Sequence, residues 1–122
     1  MSKNFSIDKA AKDTAVNTNP GILAKFFRNR LHAQFEKIKH GFIVLNENNK
    51  KIVFGNENDT LKTEATIFSS EFYILAGSGG EVGVAEAYAA GYWDAEDMVK
   101  LIQIVIKNQE IQEALDGGIA KL

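Results

Sequence analysis

The sequence predicts an α+β domain in which a small, mostly antiparallel sheet of three to five strands is covered by helices. Three observations predict it. A run opened by Asn19-Pro20 places apolar residues at three- and four-residue steps, the period of a helix with one buried face. Two short β-rich runs then flank a polar turn, and a third alternates apolar with polar residues. Beyond Ser70 the apolar residues return to helical spacing, punctuated by glycines. At 122 residues one domain is expected, with a core large enough to fold without staples.

Residues 1–18 are polar with scattered alanines and are expected to form a flexible tail. The domain itself is expected over 19–116, with 117–122 as the start of a linker. Asn19 caps and Pro20 starts the first helix, because proline lacks only an N–H that the first turn cannot use. Leu23, Phe26, Phe27, Leu31, Phe35 and Ile38 mark its apolar face, which extends the helix to about Lys39. Gly41 ends it. Gly41–Leu45 and Lys51–Phe54 read as two strands of a hairpin joined by the five residues Asn46–Lys50. Leu61, Thr63, Ala65 and Ile67 then form the inward face of a third strand.

Ser69-Ser70 precede a short apolar helix, Glu71–Ala76, expected to stop at Gly77-Ser78-Gly79-Gly80. A second helix is expected from Glu81 to Ala90, rich in small residues that permit close approach of another backbone. Gly91 ends it, since glycine accepts the left-handed conformation past a helix terminus. Asp94 opens the next helix, running from Ala95 to about Lys107 with Met98, Leu101, Ile102, Val105 and Ile106 on its apolar face. Asn108-Gln109 mark a break, and Glu110–Leu115 add a last turn or two.

The chemistry is bounded mainly by exclusion. The chain has no cysteine, so disulfides, thiolate catalysis and cysteine metal sites are out. His32 and His40 have no carboxylate pattern beside them that would suggest a metal. Ser69 and Ser70 lack a histidine placed by motif. The glycines counted from Gly77 fail the dinucleotide spacing, because Val82 occupies the required third glycine position. Glu81 and Glu86 are five apart and fall on different helix faces, which argues against a paired acid–base site. Glu86 and Tyr88 are instead expected to form a buried network bracing Tyr92-Trp93.

Charge is uneven along the chain. Pro20–His40 carries five basic residues and one acid, whereas Glu81–Leu122 carries eight acids and three lysines. A basic amphipathic helix can lie on an anionic lipid surface, so Lys25, Arg28 and Arg30 are candidate headgroup contacts. The overall pI near 5.7 argues against nucleic acid. Met1–Val16 lacks the apolar core of a secretory signal, and no apolar run approaches the length of a membrane span.

The pattern Gly80-x-x-Gly83-x-x-Glu86-x-Tyr88-x-x-Gly91-x-Trp93 resembles the N-terminal domain of cyclopropane-fatty-acyl-phospholipid synthases. The likeness extends back through Asp59-Thr60-Leu61 to Phe72 and forward to about Asn108; Pro20–Gly55 fits more loosely. Glu81-Val82 stands where the family has Asp-Leu or Ser-Leu. The resemblance implies a fold like that of sterol-carrier domains. It implies no catalytic residue in this chain, because S-adenosylmethionine binding and catalysis belong to a later methyltransferase domain that the chain does not contain. On this reading the chain itself needs no cofactor. Its partners would be membrane phospholipid and that methyltransferase domain, which Gly80, Gly83, Glu86, Tyr88, Gly91 and Trp93 would face, or else the lipid itself. The location would be cytoplasmic and peripheral at the inner membrane surface. A free-standing lipid carrier and a homodimerisation module are the alternatives.

Overall fold

The computed structural model describes residues 20–117. The expected tail at 1–18, the capping Asn19 and the linker residues 118–122 lie outside them. The elements run α1 (Pro20–Phe35), β1 (Phe42–Glu47), β2 (Lys50–Gly55), β3 (Lys62–Ile67), α2 (Glu71–Ala89), β4 (Trp93–Ala95), α3 (Met98–Lys107) and α4 (Gln109–Gly117). The four strands form one sheet in the order β2-β1-β3-β4. The α+β class is as expected, but the sheet is mixed rather than mostly antiparallel.

The mixing has a local cause. β1 and β2 pair antiparallel through a hairpin whose loop is only Asn48-Asn49, not the five residues the polar run suggested. Both asparagines take positive φ, 53° and 64°, which matches the right-handed twist of the strands. β2 therefore finishes beside the start of β1. The chain then steps across that start, with Asn56 N–H donating to the Gly41 carbonyl and Phe42 N–H to that of Leu61, both at 2.9 Å. Asp59 holds the step by accepting from the Gly41 and Leu61 amides at 2.8 and 2.9 Å. β3 thus starts at the same end as β1 and must run parallel to it, pairing Phe42 with Lys62 through to Glu47 with Ile67.

Period-two alternation sends Ile43, Leu45 and Glu47 of β1 inward, with Thr63 and Ala65 of β3. The reverse face is wet. There Lys51 bonds Asn46 and Glu64 at 2.9 and 2.7 Å, and these partners hold the Glu64 carboxyl below its usual range. Ile38, Ile104 and Ile111 cover the inner face, and a second cluster of Phe27, Leu31, Phe72, Tyr73, Ala76, Ala87 and Trp93 continues it. Phe35, Ile67, Ala95, Leu101 and Leu115 touch both clusters and join them.

Three helix boundaries differ from expectation, each for a tertiary reason. α1 ends at Phe35 rather than Lys39. The amides of Lys39 and His40 bond the Asn108 side chain instead, at 2.9 and 3.2 Å, and Asn108 Nδ2 donates back to the His40 carbonyl at 2.7 Å. Glu71–Ala89 is two helical halves joined at Gly80, as expected, but the first half runs on through Gly77-Ser78-Gly79 before it breaks. Gly77 is glycine because a Cβ there would lie 2.2 Å from the Phe27 ring. Asp94 does not open a helix. Trp93–Ala95 pair with Ile67–Ala65 as an edge strand, and the helix starts three residues later, where Asp97 accepts from the Lys100 amide at 3.1 Å.

Candidate functional site

The glycine motif shapes the backbone around Trp93. Gly80 sits inside α2 at φ 59°, ψ −136°, a conformation nearly exclusive to glycine, and it kinks the helix there. The kink drives the second half of α2 back against the first. A Cβ on Gly83 would lie 1.8 Å from the Leu75 carbonyl oxygen, so no larger residue fits. Gly91, at φ 81°, makes the turn into β4. Trp93 is buried on arrival, and its Nε1–H donates to the Val84 carbonyl at 2.9 Å. Its ring meets Phe72 and Tyr88 edge-on, at centroid distances of 5.9 and 5.4 Å.

The expected buried network of Glu86 and Tyr88 is not formed. The inward stripe of this turn is Gly80, Gly83 and Ala87. That spacing puts Glu86 and much of Tyr88 on the outer side, where both are exposed. Of the six motif residues, Trp93 alone lines both of the apolar voids here, Tyr88 lines the outer one, and Gly80, Gly83, Glu86 and Gly91 line neither.

Two apolar voids meet at Trp93. Between the sheet and the helices lies a cavity of about 80 Å³ with a wholly apolar lining that includes Leu45, Ile67, Phe72 and Ile111. A groove of about 550 Å³ opens on the surface between the second half of α2 and helices α3 and α4. Val84, Trp93, Leu101, Val105 and Leu115 line both, so their side chains form the wall that the groove and the cavity share. Val99, Ile102 and Ile106 of α3 are more than half exposed nearby. At the rim Glu81 is hydrogen-bonded to Asp116, which holds its carboxyl above the usual range, with burial and charge repulsion adding to the effect.

A second cavity, of about 340 Å³, lies between the start of α1, the β1–β2 turn and the start of α2. Its floor is a polar network. Arg28 Nε and the Tyr73 hydroxyl both donate to the Glu47 carboxylate, one to each oxygen. Since the Tyr73 proton goes to Glu47, His32 Nε2–H donates to the phenol oxygen, at 2.9 Å. Glu47 and Tyr73 are buried, and Arg28 and His32 half-buried. Burial, followed by the Glu47 hydrogen bond and charge, pushes the Tyr73 hydroxyl far above its usual range. Burial lowers His32, the Arg28 charge lowers it further, and Glu47 partly opposes them. The imidazole is therefore neutral at pH 7.

The three candidate headgroup cations separate. Lys25 and Arg28 both line this second cavity. Arg30 stands off on another face of α1, its guanidinium 5.3 Å from the Phe26 ring centroid. Reading β1 as ending at Leu45 hid Glu47. Extending the Ile43–Leu45 alternation by one step would have placed that carboxylate on the inner face, the signal that a buried partner must exist. Tyr73, His32 and Lys50 carried no such signal, because their grouping depends on how α1 and α2 lie over the sheet.

Comparison with protein-family models, curated proteins and solved structures yields no match. Among the described residues no helix is long and apolar enough to cross a membrane.

Proposed function

We propose that this chain is a non-catalytic, lipid-handling domain of the kind found at the N-terminus of cyclopropane-fatty-acyl-phospholipid synthases. In this reading it engages phospholipid and supports a methyltransferase domain that uses S-adenosylmethionine. The observation that carries it is an apolar groove and an apolar cavity that share the wall formed by Trp93, Val84 and Val105, which in this reading parts as a throat. A void lined only by hydrocarbon gains nothing from water, and an acyl chain fills it favourably. The groove accepts most of such a chain, and the smaller cavity takes its end, at about 25 cal/mol for each Å² of apolar surface covered. The motif glycines support the reading indirectly: they place Trp93 and Val84 at the throat. The exposed Val99, Ile102 and Ile106 offer the surface on which a methyltransferase domain would dock.

The test uses Trp93, the single tryptophan. Titration with a dansylated medium-chain fatty acid is expected to give saturable energy transfer from Trp93 to dansyl. Val105→Phe, which fills the throat, is expected to weaken this at least about tenfold, since a pocket that cannot admit the chain loses its apolar contact. Non-saturating transfer, unchanged by Val105→Phe, refutes the reading. A free-standing carrier shares the same cavity, and fatty acid copurifying with the chain alone in native mass spectrometry would favour it.

A further inference from the structure

The geometry points to a second, separate site: a phosphate-ester pocket in the cavity above Arg28. Three cationic side chains line it, Lys25 and Arg28 from one side of α1 and Lys50 from the start of β2. The lining holds one carboxylate, Glu47, and that group already accepts from Arg28 and Tyr73. The lining therefore keeps a surplus of positive charge around a floor whose acid is committed. The Glu47 bond also fixes Arg28. A guanidinium carries five N–H donors in a rigid plane, and anchoring Nε turns that plane in one direction. Lys25 and Lys50 approach from two different elements, as a tetrahedral anion requires and a flat basic surface does not provide. Ser69 and Ser70, which precede α2, are in the lining, and the first turn of α2 adds the positive end of the helical half that runs from Glu71 to the kink at Gly80.

The remaining walls choose an ester over the bare ion. Ile52, Ile67 and Phe68 make part of the lining apolar, and Phe68 is 65% exposed at the mouth. Ile67 also lines the interior apolar cavity, so apolar wall continues from this pocket toward the acyl site. The pocket therefore suits a phosphate group that carries a short apolar or glyceryl substituent. The phosphate could come from a lipid headgroup in a bilayer or from a free phosphate ester. The headgroup source rests on the lipid-handling reading; the pocket does not.

The experiment has two arms. In the first, inorganic phosphate and glycerol phosphate are titrated while backbone amide resonances are followed. The esterified ion is expected to shift Lys50 and Ser70 saturably, and more strongly than phosphate alone. In the second, the chain is sedimented with phosphatidylcholine vesicles with and without phosphatidylglycerol. Lys25→Ala and Lys50→Ala are each expected to weaken binding to the anionic vesicles about fivefold, while Lys100→Ala, on α3, leaves it unchanged. A Lys50-dependent response in the first arm alone assigns a free ester, and in the second alone a headgroup. If neither arm depends on Lys50, or if Lys100→Ala weakens vesicle binding as much, the pocket is not a site. Fatty-acid titration of the same lysine variants is expected to match wild type, so failure here is distinguishable from failure of the acyl groove.

Discussion

The end of the sheet beneath α1 and the end beneath α3 contain cavities with opposite construction. Around Glu47 the walls are held by directional bonds from Arg28, Tyr73 and His32, each with its partner fixed. Around Trp93 the walls are held by apolar contact, with one indole hydrogen bond to Val84. A hydrogen-bonded pocket keeps its shape when empty, because each donor would lose a partner by moving. An apolar void has no such constraint, and its lining gains contacts when something fills it. The first end is built to present charge at fixed positions, and the second to accept a chain of variable shape.

The sharpest way to break this comparison is at Gly83. Gly83→Ala would put a Cβ into the Leu75 carbonyl and force the kink open, with a loss of more than about 3 kcal/mol expected in urea unfolding. Fatty-acid binding is expected to fall with it, since the throat depends on the kink. At the other end, Glu47→Ala strands the Tyr73 hydroxyl and the partly exposed Arg28 without their acceptor. The expected loss is about 2–3 kcal/mol, below the range for a fully buried pair because solvent reaches Arg28. Acyl binding should survive that change at protein concentrations where the chain stays folded. If Glu47→Ala abolishes it, the two ends are coupled.

A smaller effect separates the ends by pH. The folded pKa of His32 lies below the ordinary histidine value of 6.5. A depressed pKa means that the unfolded chain takes up the proton first. The stability contributed by neutral His32 is therefore whole above pH 6.5 and is lost as pH falls through the folded value. His32→Phe, beside Phe35 and Phe54, is expected to flatten this part of the stability profile in urea titrations at successive pH values. Glu81 has the opposite sign. Its raised pKa gives stability present below 4.5 and lost as pH rises through the folded value, and Asp116→Asn is expected to remove that slope. The smallest effect is expected at the wet face, where Lys51→Ala breaks an exposed pair with Glu64 and leaves the unfolding midpoint unchanged within error.

Much of this was legible from spacing alone. The three-and-four step of α1, the strand runs and the break at Asn108 came from period and punctuation, because those patterns follow from which side of an element meets the core. The inward face of α3 did not: Ile104 is fully buried there, whereas Ile102 and Ile106, expected beside Leu101 and Val105, are 51% and 58% exposed. The motif Gly80 to Trp93 was legible as a unit, though its glycines act on the backbone and Glu86 lies outside the wall. The mixed sheet was not legible. Nothing in Asn56–Leu61 states that the chain crosses the start of β1 rather than returning along β2. The strand at Trp93–Ala95 was hidden as well, since three residues carry too little alternation to outweigh the helix-starting look of Asp94.

Local sequence by itself determined where most of the helices and strands arise, because backbone propensity and side-chain period act within a few residues. Only the tertiary structure decided that Arg28, Glu47, Tyr73 and His32 share one polar network, that Asn108 ends the first helix, and that an outer groove and an inner cavity share a wall at Trp93. Those depend on contacts between residues far apart in the chain, whose energies exist only once the layers have packed.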